Sequence, residues 1–465
     1  MSIDLSTDEG VRLAHAADAS AVRMMPDAVA RPVSAAETSE VLRRASAERT
    51  PVTPAGAQTS YTCASVSEGG ILLSTRGMER IIDIDVASRT ARVEPGVLVG
   101  ALKRACAAEG LLFAPDPTSE DECTIGGAIA CNASGARSLR YGATRAHVRG
   151  LTVALASGEL VAFRRPALEK NTVGYALAQD PVDWFVGSEG TLGVVVEAEL
   201  ALVPLPARVV GLGIPFAREA DALAFVVAAR DAAREGTGRA AAAIAPRCLE
   251  FLGAGAFDIA REAEGSGTWA RGGEALVYAE EETHGDAEPP LDDWLALAES
   301  HGALVDDVRV HESEGELREA RRLRHAVPAT LNERGARCRP AGGRKVSTDW
   351  AVPYRRLAEL LEESGRIADR HGVARAFVFG HAGNGHPHQN YIARDEAELA
   401  RVEQVVGETL ARVIAAGGTV AAEHGIGKLK KKWLPMQMTP VQIGVMRAVK
   451  RELDPLGLMA PGNVL

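Results

Sequence analysis

Two short segments in the last hundred residues constrain the fold of this chain more than any other feature. The first is Gly380-His381-Ala382-Gly383-Asn384-Gly385-His386-Pro387-His388-Gln389-Asn390, and the second, about thirty residues on, is Ala422-Glu423-His424-Gly425-Ile426-Gly427. Imidazole and carboxylate are the ligand types that hold zinc or manganese, and a catalytic site takes about three of them and leaves one position open. Glycines let the backbone turn tightly beside a bound ion. Residues 376–380 read as a strand delivering His381 to its end, and residues 419–422 as a strand delivering Glu423 and His424. A hairpin across the Gly-rich turn would bring His381 and His388 together. His386 shares a face with His388 if the second arm is extended, which makes it a rival ligand. On a strand Glu423 and His424 point to opposite faces, whereas in a turn both reach one site. A histidine beside a metal-bound hydroxyl suits a general base, because its pKa lies near neutrality.

The chain has 465 residues, room for two or three domains and a sizeable core. Its net charge of −10 and lack of a dense basic block argue against nucleic acid as a partner. The exception, Lys428-Leu429-Lys430-Lys431-Lys432-Trp433, reads as the solvated face of a helix, with contact to a membrane surface or an acidic redox partner as the alternative. The six cysteines form no CxxC and no iron–sulfur spacing, so they read as free thiols in a reducing compartment. No apolar run is long enough to span a membrane, and Met1-Ser2-Ile3-Asp4-Leu5 opens no signal pattern. A cytoplasmic protein is expected, with peripheral association to a membrane left open.

Residues 36–48 read as a helix with Val41, Leu42 and Ala45 on one face; Pro51 and Pro54 interrupt, and a turn follows through Ser60. Residues 71–74, 81–84 and 90–93 read as short strands, 97–109 as a helix capped by Gly110, and 151–163 as a hairpin turning at Gly158. Beyond residue 206, apolar strands at 209–214 and 275–279 alternate with Ala/Glu/Arg-rich helices. Acidic loops such as Glu280-Glu281-Glu282-Thr283-His284-Gly285-Asp286 are expected between them. Leu357, Leu360, Leu361 and Ile367 make one helical stripe, and Leu399, Val402, Val406, Leu410, Val413 and Ile414 another.

Residues 115–142 are mostly Gly, Ala, Ser, Thr and Asn, a composition suited to backbone wrapped around a ligand. The segments Ala55-Gly56-Ala57-Gln58-Thr59-Ser60, Cys123-Thr124-Ile125-Gly126-Gly127 and Gly187-Ser188-Glu189-Gly190-Thr191-Leu192-Gly193 offer N–H groups and hydroxyls that suit a diphosphate-bearing cofactor. Singly, each reads equally as a turn. Gly253-Ala254-Gly255 lacks the third glycine of the nicotinamide fingerprint.

Together these segments resemble the flavin-linked 2-hydroxy-acid dehydrogenases of the vanillyl-alcohol-oxidase type. The D-lactate, D-2-hydroxyglutarate and glycolate-oxidising members are the nearest. The marks are Pro115-Asp116-Pro117-Thr118-Ser119, Cys123-Thr124-Ile125-Gly126-Gly127, Arg140-Tyr141-Gly142, the Gly187 to Gly193 segment, the two histidine segments, Asp454-Pro455 and Pro461-Gly462-Asn463-Val464-Leu465. The resemblance runs from about residue 30 to the end. It implies an α+β fold: a two-subdomain FAD-binding domain over 1–205, a substrate domain with an antiparallel sheet and flanking helices over 206–420, and a segment 421–465 returning to the FAD domain. It implies FAD contacts at Pro54, Ala55, Gly56, Ala57, Gln58, Thr59, Ser60, Pro117, Thr118, Ser119, Thr124, Gly126, Gly127, Asn132, Ser134, Gly135, Tyr141, Gly142, Glu189, Val195 and Asn463. Thr59 stands where relatives that attach flavin covalently have histidine, so the FAD is expected to be non-covalent. The implied metal ligands are His381, His388 and Glu423, the cation being zinc or manganese. The implied base is His424, with Asn390 as substrate-binding residue and Arg324 holding the substrate carboxylate, where a planar fork gives two hydrogen bonds.

Three departures qualify the resemblance. The first loop has Ala55-Gly56-Ala57-Gln58-Thr59 where relatives have Arg-Gly-Gly-Gly-Thr. Asn384 and His386 stand where relatives have Asp and Asn. Ser347 stands where the D-2-hydroxyglutarate branch has a lysine two residues before the aspartate matching Asp349, although Lys345 is close enough to substitute. The expected activity is therefore oxidation of a D-2-hydroxy acid, D-lactate favoured, by hydride transfer to FAD. Electrons would pass to a separate quinone, electron-transfer flavoprotein or cytochrome. D-2-hydroxyglutarate dehydrogenase, a glycolate oxidase subunit, a peroxide-forming oxidase and a flavin-free metallohydrolase are the alternatives. Assembly is left open, a homodimer among the options.

Overall fold

The computed structural model describes residues 5–235 and 244–465. The reading of the N-terminus at residues 1–4 lies outside them. The described chain divides into two compact units, one of residues up to 135, 141–205 and 423–465, the other of residues 136–140 and 206–422.

The first unit holds a four-stranded sheet, a five-stranded sheet and the short antiparallel pair of Leu111–Leu112 with Val203–Pro204. Ala28–Ala30 and Val52–Ala55 flank Ile71–Ser74 in parallel, and Leu5–Ser6 adds an antiparallel edge. The strand Val52–Ala55 lies where the two prolines were expected to interrupt. It is an edge strand, and there the missing N–H of Pro54 breaks no ladder. The second sheet is antiparallel, in the order Ile81–Asp85, Thr90–Val93, Val194–Ala201, Val148–Ala154, Leu160–Arg164. The helix Ala35–Glu48 starts at Ser34, whose hydroxyl accepts the Glu37 N–H, and ends at Arg49 in the left-handed conformation. Its Val41, Leu42 and Ala45 pack with Ile71 and Leu73 of one sheet and Val194 and Val196 of the other. Burying each of the larger side chains contributes about 1.5–3 kcal/mol.

The second unit is built on a seven-stranded sheet in which every pair is antiparallel. Its order is Arg309–His311, Arg208–Phe216, Ala275–Thr283, Pro246–Leu252, Phe377–His381, His386–Asp395, Gly342–Ser347. The fold is thus mixed helix and sheet with an antiparallel second unit, as the resemblance implied. The helix Glu314–Cys338 opens with a capping box between Ser313 and Glu316. It lays Leu323, Val327 and Leu331 against Leu252, Leu276 and Phe379 of the sheet. On the opposite face the helices Leu357–Arg370 and Glu396–Ala415 bury Ile367, Val402 and Val405 around Tyr391.

Three local readings need correction. Residues 280–283 are not a loop but the end of the strand Ala275–Thr283. Glu280, Glu281 and Glu282 are buried there because arginines and Trp294 meet their carboxylates. Residues 419–422 form no strand, only one isolated bridge from Thr419 to Ala351, so Glu423 and His424 leave from a bend. The Lys428 to Trp433 run is not one solvated helix face. Lys431–Trp433 is a single 3-10 turn, and the Lys428 side chain is drawn inward to the Cys63 and Val66 carbonyls and Asn463 Oδ1. Three acceptors outweigh solvation of a cation whose pKa burial lowers.

Candidate active site

In the second unit one face of the sheet carries the chemistry. Strand side chains alternate faces, and directly paired residues share one. The register Glu250 to Tyr278, Leu252 to Phe379, Phe379 to His388 and Ser347 to Asn390 therefore aligns Tyr278, Glu280, Glu250, His381, His386, His388, Asn390, Lys345 and Ser347 on a single face. The turn Ala382–Asn384, closed by Gly385 at φ +67°, makes the hairpin that puts His381 opposite His386. All three histidines are buried. Their ring centroids lie 5.3, 5.3 and 4.6 Å apart, and each offers a nitrogen within 4.8 Å of the others. His386, the rival ligand, belongs to the cluster.

Two acids that sequence reasoning left unassigned stand against these rings. Glu250 Oε1 lies 2.6 Å from His381 Nδ1, and Oε2 accepts Arg324 Nε at 2.7 Å. Burial pushes the Glu250 carboxyl up, but His381 and Arg324 outweigh it and hold it at about 2. Asp349 Oδ1 stands 3.0 Å from His386 Nε2. A carboxylate hydrogen-bonded to one ring nitrogen, as Glu250 is to His381, fixes the tautomer and leaves the other nitrogen to bind a cation. Buried imidazoles steered in this way fit a divalent metal better than they fit an apolar core. The Arg324 side chain, on the helix Glu314–Cys338, is only 14% exposed and packs toward Phe379 as well as Glu250. Asn390 is buried, with Nδ2 donating to the His388 carbonyl at 3.2 Å. Burial lowers the pKa of Lys345.

Farther along the same face, Arg137 grips Glu280 with two bonds of 2.9 Å, Tyr278 donates to Glu280 at 3.1 Å, and Arg247 reaches Glu282 at 2.9 Å. Burial raises Glu280, and Arg137 and Arg247 bring it down to about 2. This network is also absent from the sequence reading. Its members are scattered from 137 to 282, with no local motif to announce them.

In the first unit the Gly-rich segments converge. A Cβ on Gly56 would run into Thr124 Oγ1, and one on Gly135 would run into the Asp116 carbonyl. Gly190, at φ +75°, lets the 187–193 turn lie on Pro54. Thr124 caps the helix Ile125–Cys131, accepting the Gly127 N–H, and Asn132 ends it in the left-handed conformation. The first amides of this helix are committed within the protein, Ile125 to the Val97 carbonyl, Gly126 to the Pro95 carbonyl and Gly127 to Thr124 Oγ1; what the converging segments offer a dinucleotide is closely packed, glycine-rich backbone. Residues 56–60, 117–119 and 142 lie on loops or turns, Tyr141 ends the short helix Ser138–Tyr141, and Val195 is buried in the antiparallel sheet. Gln58, Glu189 and Asn463 behave otherwise. The Gln58 amide donates to the His15 and Ser65 carbonyls, Glu189 binds the Ile426 and Gly427 N–H groups, and the Asn463 amide donates to Ala64 and Glu189 carbonyls. Their side chains hold the protein itself.

Glu423 and His424 belong to this first unit. Ser134 donates to Glu423 Oε1 at 3.3 Å, Thr62 to the His424 carbonyl at 3.4 Å, and the Tyr61 ring lies 5.0 Å from the His424 ring. Glu423 and His424 offer donor atoms within 4.8 Å of each other, the turn alternative of the two expected. Ala422, one peptide before them, donates its N–H to the Asp349 carbonyl at 2.8 Å.

Comparison with known proteins places the chain. Residues 26–164 match the FAD binding domain, and residues 216–464 match the C-terminal domain of FAD linked oxidases. The chain is 34% identical over 460 residues to the glycolate oxidase subunit GlcD of Bacillus subtilis, covering 97% of this chain and 92% of that protein. It is 31% identical to a D-lactate dehydrogenase of Archaeoglobus fulgidus, covering 94% and 91%. It is also 31% identical to a D-2-hydroxyglutarate dehydrogenase of Xanthomonas citri pv. viticola, covering 94% and 89%. Alkyldihydroxyacetonephosphate synthase shares the fold, with a TM-score of 0.70 at 17% identity over 98% of this chain and 82% of that one. No described helix is long and apolar enough to cross a membrane. With both domain patterns matched and these relatives aligned along nearly its whole length, the chain is a member of the FAD-linked oxidase family.

Proposed function

We propose that this protein oxidises a D-2-hydroxy acid to the corresponding 2-oxo acid, using non-covalent FAD and a divalent cation, zinc or manganese. The observation that carries this reading is the cluster of His381, His386 and His388, with Glu250 hydrogen-bonded to His381 and Asp349 beside His386. The names of the relatives, which act on lactate, 2-hydroxyglutarate and glycolate, support the substrate class. His381, His388 and Glu423 are the proposed ligands, with His386 beside them. When bound, the cation supplies Lewis acidity toward the substrate hydroxyl, and the flavin supplies the acceptor for two electrons.

The remaining roles fall to this chain's own residues. His424 takes the hydroxyl proton. Arg324 receives the substrate carboxylate and so fixes which face of C2 is presented, a matter of orientation. Asn390, on the histidine face, hydrogen-bonds the substrate. Electrons leave to a separate acceptor, a quinone, an electron-transfer flavoprotein or a cytochrome.

Ser347, paired with Asn390, places a short uncharged side chain on this face and favours a monocarboxylate such as D-lactate. Lys345, on the same face, favours the second reading, a substrate with two carboxylates such as D-2-hydroxyglutarate. The variant H424A tests the scheme. It should keep its yellow flavin and lose turnover, by about 100-fold or more for loss of a general base; turnover at the wild-type rate would refute the role of His424.

A further inference from the structure

We propose that Glu189 is a positioning residue for His424, its carboxylate fixing the turn that carries the base. The proposal rests on the reading of His424 as that base. Glu189 sits in the Gly187 to Gly193 turn, its own backbone left-handed at φ +50° and its N–H donated to the Ala130 carbonyl at 2.9 Å. The residue is 6% exposed. Oε1 accepts the Ile426 N–H at 2.6 Å, and Oε2 accepts the Gly427 N–H at 2.7 Å. One carboxylate therefore holds two successive amides, two and three residues beyond His424.

The turn is shaped to be held this way. Gly425 has φ +75°, and a Cβ there would stand 2.7 Å from Glu189 Oε1. Gly427 has φ +49°, and a Cβ there would run into Thr62. Successive N–H groups in such a turn form an anion-binding concavity, and here a protein carboxylate fills it. The Thr62 carbonyl accepts the Lys428 N–H at 2.9 Å, and the Asn463 amide ties the Glu189 carbonyl at 3.1 Å to the Ala64 carbonyl at 2.8 Å. A carboxylate committed to two backbone donors is also a poor partner for a diphosphate of the same charge. The chemistry thus moves Glu189 from the flavin contacts to the support of His424.

The test compares E189Q, H424A and the double variant in the holoenzyme, using anaerobic flavin bleaching by D-lactate and D-2-hydroxyglutarate. A glutamine offers one acceptor and turns an NH2 toward the second amide. E189Q should bleach about 100-fold more slowly, the cost of misplacing a catalytic group by about 1 Å, with flavin content and apparent KM unchanged. The double variant should be no slower than H424A, because Glu189 acts through His424. Wild-type bleaching by E189Q, loss of flavin from it, or the same further slowing on the H424A background would overturn the proposal. G425A attacks the clamp from the other side. It should reproduce the E189Q phenotype, and wild-type bleaching by G425A would overturn the proposal even where E189Q fails to fold. Normal turnover by H424A would remove the base reading itself, a failure separate from that of the clamp.

Discussion

Glu250 Oε1 lies 2.6 Å from His381 Nδ1, deep within the second unit and 131 residues away in sequence. That contact decides which nitrogen of His381 is left for a cation. E250Q should therefore lower metal affinity by about 10- to 100-fold, the usual effect of losing a carboxylate behind a metal-bound histidine. Chelator competition followed by zinc or manganese add-back measures it. Unchanged affinity would show that the carboxylate does not steer the ring.

Arg324 shares Glu250 with His381 and offers donors beyond its Nε. R324K keeps the charge but loses the planar fork. It should lower kcat/KM for D-2-hydroxy acids by about 10- to 100-fold, corresponding to loss of a charge-assisted hydrogen bond of about 1.5–3 kcal/mol. Steady-state kinetics with D-lactate and D-2-hydroxyglutarate reads the loss; an unchanged value for both substrates would move the carboxylate contact elsewhere.

Glu280 predicts how the second unit responds to acid. Its folded pKa of about 2 lies below the ordinary 4.5, owing to Arg137 and Arg247 after the opposing effect of burial. A group depressed on folding contributes stability above its unfolded pKa and loses it as pH falls through the folded one. The contribution is complete above about pH 4.5 and is withdrawn between 4.5 and 2. E280Q should cost about 3–5 kcal/mol at neutral pH, because it removes the buried charge that Arg137 grips with two hydrogen bonds, and should flatten the acid limb. Denaturant titrations at several pH values measure both effects.

Most of the backbone was legible in the sequence where periodicity is local. The stripe Leu357, Leu360 and Ile367 is the buried face of Leu357–Arg370, and the apolar run before His381 is the strand Phe377–His381. The histidine hairpin could be read for the same reason, since its members are a few residues apart. What escaped depends on partners remote in sequence. Glu280 and Glu282 look like solvated charge until Arg137, Arg140 and Arg247 are brought to them. Glu250 is one acid in an apolar strand until His381 arrives, and Lys428 is one lysine of a basic run until Asn463 folds back.

Lys428 carries its own prediction. K428M removes a cation that binds the Cys63 and Val66 carbonyls and Asn463 Oδ1 at 3.0, 2.9 and 2.7 Å. Leaving buried acceptors unmet costs about 1–3 kcal/mol each. The variant should release flavin at a lower temperature than wild type, seen as earlier onset of free-flavin fluorescence on heating. An unchanged release temperature would mean that the C-terminal segment is held by other contacts.

The most direct test of the account is anaerobic mixing of the yellow holoprotein with paired D- and L-2-hydroxy acids, before and after chelation, while the visible flavin band is followed. The expected result is bleaching by a D enantiomer and not by its L partner, loss of bleaching on chelation, and recovery with zinc or manganese. A flavin that stays oxidised with every D-2-hydroxy acid, or that bleaches equally well in the metal-stripped protein, would contradict it.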